Sequence, residues 1–380
     1  MKKPLFLFVV LLTAGLMLNC SSGKRSLKKG RYYKATHEAV KQLKSNPNHK
    51  KAASVLVESY PLAKSEGLRI IQNTLSSNSP EKYSTSADEY RKLNELADLI
   101  HSSPKALQLV GQPENFSPEL GEILPLAAEE KYNQGVQLMK SNDIMDAREA
   151  YYAFKKADDY VRGYKDVGSK ITESLDEATL KVVVEKPQTP SRYQLSSDFF
   201  YDNLMSEMNK FSKNRFVRFY NWQEAGNEGL QRVDQYLVLD FEDFSVGNIY
   251  DRTDRYEAIK DSVVTGRTQV NGQTVDVYET VKAQVTLHRQ EVTSQGMLSV
   301  KVYNSANTRV LESKRFTGQF VWGNQWLTYN GDERALNEEE LKWSKGGPLP
   351  PPPNQDLFIE FTKPIFEQTM NFVRKYYSDY

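Results

Sequence analysis

One thiol, four imidazoles and one aromatic-rich run are the side chains of this sequence with distinctive chemistry to offer. Cys20 is the single cysteine among 380 residues, so no internal disulfide can form and the thiol is left for modification. It stands two positions beyond an apolar run over residues 5–18, which itself follows Lys2 and Lys3. The histidines, His37, His49, His101 and His288, show no metal-ligand spacing. His37-Glu38 would open a zinc-peptidase motif, but its second imidazole belongs four positions on, where Lys41 stands. Asp240, Glu242 and Asp243 cluster just after a predicted strand and read as a solvated strand end. Asp251 with Asp254 lacks the ligand positions of a calcium loop. Phosphate loop, dinucleotide fingerprint and nucleophile elbow are all missing. The expectation is a protein that is not an enzyme and uses neither cofactor nor metal.

The aromatic run is Trp322-Gly323-Asn324-Gln325-Trp326, continued by Tyr329-Asn330-Gly331-Asp332-Glu333-Arg334. Exposed aromatics beside polar groups make contact sites for glycans or peptides. That singles out Trp322, Trp326, Tyr329, Asp332 and Arg334 as a candidate binding surface. The competing reading is a hairpin end whose tryptophans pack on their own domain. Pro350 to Pro353 form either a polyproline ligand or a stiff connector.

Residues 5–18 match a signal-peptide apolar core, about 7–15 residues long, and fall short of the roughly 20 that span a membrane. Leu16-Met17-Leu18-Asn19-Cys20 resembles the lipobox of bacterial lipoproteins, with Asn19 where the common pattern has Gly, Ala or Ser. The resemblance implies a signal peptide over residues 1–19, acylation of Cys20 (palmitate among its chains) and a membrane-tethered product. Three acyl chains exceed the roughly two lipid signals that stable anchoring needs. Ser21 stands where enterobacterial lipoproteins carry Asp for inner-membrane retention, and no acidic run follows Cys20. The implied location is the outer membrane, facing the periplasm. Residues 20–29 then read as lipid anchor and basic tether, with Lys24, Arg25, Lys28 and Lys29 continued by Arg31 and Lys34. Those cations either touch anionic headgroups, at about 1 kcal/mol each, or hang solvated.

A chain longer than roughly 250–300 residues usually divides into domains, so two are expected. Fifty Lys and Arg against 49 Asp and Glu argue against nucleic acid, whose binders carry a strongly basic face. Over residues 30–180 the apolar period is helical. Gly30-x-Tyr32-x-x-Ala35 with Pro47, and Gly135 with Ala147, resemble tetratricopeptide-repeat positions, where small residues let paired helices approach. Predicted helices cover residues 48–63, 67–75, 85–101, 127–140, 144–164 and 166–178, with proline-interrupted loops over 103–125.

At Lys181 the period turns from 3.6 to 2. Strands at 181–185, 215–220 and 235–241 alternate with helices at 196–211 and 222–233, and Phe199, Phe200, Leu204, Met208 and Phe211 are assigned to the inner face. Longer alternating strands follow. Residues 263–270 and 274–292 meet at Asn271-Gly272, the strongest two-residue hairpin signal; 298–303 and 309–322 make a further hairpin. Residues 336–341 and 364–377 are helical. The strand at 235–241 after a helix, with 298–302, Val310-Leu311 and Gly318, loosely resembles a periplasmic lipoprotein α/β domain. That type occurs in the curli secretion channel subunit and in the amino-terminal domain of the Tol translocation protein.

The predicted fold is α+β: an all-α helical-repeat domain over 30–180, then a mixed α/β domain with long antiparallel strands over 181–380. The functional expectation is an envelope lipoprotein that serves as a scaffold or accessory subunit, binding other envelope proteins and its membrane but not nucleic acid. Two alternatives stand beside it. One is a subunit of an oligomeric export or pore complex, since strand 274–292 is long enough to cross a bilayer, with Glu279 on its apolar face. The other is a protein that binds envelope glycan (peptidoglycan).

Overall fold

The computed structural model describes residues 22–213 and 216–380; Cys20 and the lipobox lie outside them. The chain is α+β and divides into two compact units, residues 1–178 and 179–380.

The first unit is built of helices: α1 (Lys24–Lys28), α2 (Tyr32–Ser45), α3 (Lys50–Leu75), α4 (Lys82–His101), α5 (Pro104–Val110), α6 (Ser117–Leu138), α7 (Ile144–Tyr160) and α8 (Val167–Ala178). Small residues set the distances between them. In α2 and α3, Ala35, Ala39 and Ala52 are fully buried beside Val40, Leu43 and Leu56, and Thr36 donates to the Ser59 hydroxyl at 2.9 Å. Gly135 on α6 lies against the Phe154 ring of α7; a Cβ there would stand 2.7 Å from it. The small position read from the repeat spacing thus seats an aromatic of the next helix. Helix α4 has no cap of its own. Glu130 from α6 supplies one, accepting from the backbone N–H of Tyr83 at 2.9 Å and of Ser84 at 3.1 Å, where the helix dipole favours an anion.

Several expectations for this unit are corrected. Residues 20–29 are not all tether: α1 packs on the helices through the buried Ser26 and through Leu27. The two segments 48–63 and 67–75 are one helix, because Gly67 packs under Leu93 and does not break the turn. Pro61 inside that helix is exposed, so water can serve the carbonyl it leaves free. The proline-rich span 103–125 is largely helical, since Pro104 and Pro118 occupy first turns, where a missing N–H costs nothing.

The second unit holds β1 (Leu180–Glu185), α9 (Gln194–Ser212), β2 (Val217–Asn221), α10 (Trp222–Asn227), β3 (Gln235–Val270), β4 (Gln273–Asn304), β5 (Val310–Gly331), α11 (Glu338–Ser344) and α12 (Asn354–Tyr376). One mixed sheet runs β2-β1-β3-β4-β5. β1 is parallel to β2 and to the start of β3, and the rest is antiparallel. The expected β-α-β-α-β order is present, with its third strand extended to 36 residues.

At the base of the sheet α9 and α12 pack on an aromatic core. Phe358 touches Tyr193, Phe241, Phe244 and Phe361 with ring centroids 5.1–5.7 Å apart. Gly296 of β4 and Gly318 of β5 stand opposite each other, and together they open the notch that α12 enters. A Cβ on Gly318 would overlap the Phe361 carbonyl, and one on Gly296 would come within 2.7 Å of the Phe361 ring. Tyr377 is fully buried; it donates to Gln235 Oε1 at 3.0 Å and lies edge-on to Phe219.

Here too the structure corrects the reading. Phe199, assigned inward, is exposed, while Phe200, Leu204 and Met208 are buried. The α10 helix stops at Asn227, short of the predicted 233, because the glycine pair at 226 and 229 ends it. Strands read as separate at 274–292 and 298–303 are continuous in β4, and the closing helix begins at Asn354, ten residues before Pro364.

Candidate functional site

Beyond its base the sheet becomes a ribbon, and this is where the molecule leaves apolar groups and backbone edges without cover. β1 pairs with β3 only as far as Val238, so the outer edge of β3 has no strand partner from Leu239 onward among the described residues. β5 is the edge strand on the other side, and its pairing with β4 ends at Gly331–Ala283. From Lys260–Val281 to Val270–Gln273 only two strands remain. That stretch is roughly 30 Å long at about 3.4 Å per residue. Between Ala258 and Val281 no residue is buried.

The turn at the tip needs two residues in left-handed conformation. Asn271 at φ 52° and Gly272 at φ 85° supply them, matching the twist of the flanking strands. Along the ribbon, register is held on the polar face by Arg267–Asp276 at 2.9 Å and Lys282–Glu257 at 3.1 Å. The opposite face carries Val263, Val275, Val277 and Val281, with Glu279 among them. Exposed Ile249, Tyr250, Ile259, Val264, Val270 and Tyr278 add apolar surface on both sides.

Covering elements stop partway along. Ala335, Leu336, Leu341 and Trp343 pack on Ala258, Val281, Ala283, Val285, Leu287 and Leu327. The inward face of β4 read from alternation, Val281, Ala283, Val285 and Leu287, is therefore correct, and its cover comes from α11 and the turn before it. Tyr256 donates to Glu340 Oε1 at 2.5 Å. Burial and that nearby carboxylate push its hydroxyl up to about 12. Glu340 in turn closes the capping box of α11 with Asn337.

The five residues singled out from the aromatic run do not converge. Trp322 and Trp326 sit mid-strand in β5, not at a hairpin end, and both are half-buried. Trp326 stacks on His288 at 5.1 Å and 11°, a Cβ on Gly346 would stand 3.9 Å from that of Trp326, and Asn324 between the tryptophans donates to the Gly347 carbonyl at 3.1 Å. The chain's own loop thus lies against this face. Tyr329 points to the opposite face, paired with Val285. Asp332 and Arg334 bind each other, and Arg334 donates to the Val264 carbonyl at 2.7 Å, beside a bulge in β3. That pairing holds the Asp332 carboxyl down at about 2. Their geometry is that of a clamp between the end of β5 and the ribbon.

Each unit also has a groove of its own among the described residues. One in the helical unit, about 680 Å³, is lined by Asp88, Lys131, Glu149, Tyr152, Lys156 and Tyr160 among others; its charges are largely paired, Lys131 with Glu81 and Lys156 with Asp88. The other, about 440 Å³, lies between α9 and α12 beside Phe199 and Phe366. Among the described residues no group of His, Cys, Asp or Glu is arranged to hold a metal ion, and no helix is long and apolar enough to cross a membrane. Asp240, Glu242 and Asp243 do not form a site: Asp240 and Asp243 are exposed, and Glu242 pairs with Arg315 at 2.7 Å.

No family model matches the chain, and no curated protein matches it. Among solved structures it is similar to a neuraminyllactose-binding hemagglutinin homolog from Helicobacter pylori, at 10% identity and a TM-score of 0.21, over 53% of this chain and 91% of that one. A likeness of that size carries no argument about fold or function.

Proposed function

We propose that the protein is an envelope lipoprotein, anchored through Cys20, that works as a non-catalytic assembly subunit, and that the β3–β4 ribbon is where it engages another protein. One observation carries the reading. Twenty-two consecutive residues, 259–280, hold a folded hairpin without one buried side chain. Exposed apolar surface of this extent on an ordered element marks an interaction site, and free strand edges accept an added strand through backbone hydrogen bonds. The envelope location and outer-membrane anchoring rest on the lipobox resemblance.

The test is affinity purification of the natively processed protein from cross-linked envelope, beside Cys20→Ala and a Val275→Asp/Tyr278→Asp double variant. A defined protein set that falls away in both variants supports the reading. Recovery of the same set with the double variant removes the ribbon from it, and recovery of this protein alone in every form sinks it.

A specific observation also favours the oligomeric export reading. The two-stranded stretch offers 9 to 11 residues per strand, Lys260–Val270 and Gln273–Val281, close to the length of a membrane-spanning β-strand. Light scattering on detergent-extracted protein decides between them: a monomer or a mixed complex supports the scaffold, a closed ring of copies the pore.

A further inference from the structure

The cations nearest Cys20 form a second surface, and it is a rigid one. Helix α1 turns 100° per residue, so Lys24, Arg25 and Lys28 share one arc of about 100°, with Ser26 and Leu27 on the opposite side. Ser26 donates to Glu38 Oε2 at 2.9 Å, and Leu27 packs on the cluster of Ala35, Leu43 and Val55. Gly23 fits so closely under α2 that a Cβ would overlap the Ala35 carbonyl. At the other end Gly30, φ 69°, donates to the Leu27 carbonyl at 2.9 Å and Arg31 donates to that of Ser26 at 3.0 Å. This is the paired helix stop that only a left-handed residue allows. Both ends of the basic segment are therefore pinned to the helical unit, and its charges are held in place.

Lys24, Arg25, Lys28, Lys29 and Arg31 are all exposed, and none has an acidic partner among the described residues. Lys34, the next cation, is already beside Glu38 at 4.0 Å. No Asp or Glu occurs anywhere between Cys20 and Arg31. Five unpaired positive charges carried on one short ordered segment, three of them on one arc, need an anionic partner that can adapt to their spacing.

We propose that this face seats on the anionic phospholipid headgroups of a bilayer. Headgroup phosphates diffuse to meet fixed cations, whereas an acidic protein would have to match their arrangement. Position favours the same partner: only three residues separate Cys20 from Lys24, and the apolar run lies just before. The proposal uses the lipid-anchor reading for that proximity alone. Its consequence is that the helical unit is held in one orientation against the membrane, not swinging on a tether.

The experiment uses residues 21–380, which keep every described element and lack Cys20, so its result is independent of acylation. Sedimentation with vesicles of about 30% phosphatidylglycerol in phosphatidylcholine is compared with phosphatidylcholine alone. The expected preference is at least about tenfold near 50 mM salt, shrinking several-fold near 300 mM as charges are screened. Replacing Lys24, Arg25, Lys28, Lys29 and Arg31 together by Gln abolishes it. Replacing Lys210, Lys342, Lys345, Lys363 and Lys375 by Gln leaves it intact, and thermal melts of both variants check folding. Equal binding to the two vesicles, or a preference that survives the first set of changes, overturns the proposal. Capture by immobilised polyglutamate without vesicle preference also overturns it and assigns the face to an acidic protein.

Discussion

The β3–β4 pair contains two regions that share strands and pairing pattern yet are different physical objects. At its base, Leu237, Leu298, Val300 and Val302 are fully buried under the aromatic core of α9 and α12. At its far end, residues 259–280 have the same antiparallel ladder and no buried side chain, touched only near its start where Val263 meets the α11 cluster and Arg334 reaches the Val264 carbonyl. Pairing alone is therefore not what makes a strand part of a core; cover is. The base holds the unit together, and the tip is free to be chosen for contact.

The sharpest way to break this contrast is to damage each end equally and compare. Phe358→Ala at the base should lower stability by about 3–5 kcal/mol, the usual cost of emptying a buried aromatic site, read from denaturant melts. Replacing residues 262–279 by a short turn should shift the melting temperature by less than about 2 °C, because almost no buried area is lost. A large shift there would mean that the tip is covered in solution.

Next in size is Gly318→Ala. The added methyl would meet the Phe361 carbonyl, which is backbone and cannot swing away, so a loss of about 2–3 kcal/mol is expected. The same change at Gly266, where nothing lies within 4 Å, should be close to neutral. In the helical unit Gly135→Val should cost about 2 kcal/mol by crowding Phe154.

At the boundary between covered and bare ribbon the effect is smaller and depends on pH. Tyr256 is raised to about 12 by burial and by Glu340, so its neutral form is the one the fold prefers. The stability it contributes is present below pH 10 and is lost as pH rises toward 12. The ultraviolet difference between wild type and Tyr256→Phe should titrate near pH 12; a midpoint at 10 would mean that α11 does not hold this tyrosine.

The smallest change is at the tip. Gly272→Ala puts a side chain at φ 85°, costing about 1 kcal/mol locally. Amide exchange should quicken in residues 264–278 while the global melt stays put.

Much of this architecture could be read in advance where local chemistry decides it. Asn271-Gly272 dictates its turn by left-handed preference, and the alternation from Val281 to Leu287 announces a covered face. Helices α7 and α8 follow from their apolar period; the cap of α7 by Asp143, whose side chain accepts from the N–H of Met145 and Asp146, emerges only in the structure. What escaped was decided by tertiary cover. Proline reads as a breaker, yet Pro104 and Pro118 sit in first turns and Pro125 on an exposed helix face where the lost bond is tolerated. The aromatic run suggested one surface; period-two geometry sends Tyr329 to the face opposite Trp322 and Trp326. Nothing local marks Gly318 as the floor of the α12 notch, because the helix it admits arrives some forty residues later.

The strand count of the ribbon has a consequence for symmetry. β3 and β5 flank β4 and both oppose it, so the two free edges of this three-stranded stretch point the same way. Copies arranged around an axis along the strands would meet β5 against β3 in parallel. A two-fold axis through the β5 edge would instead give an antiparallel six-stranded sheet from identical surfaces, the commonest closed arrangement of identical subunits. Only past Gly331, where the count drops to two, would neighbouring copies in a ring meet antiparallel. The polarity of its edges would therefore suit the broad part of the ribbon to pairs and its narrow tip to rings.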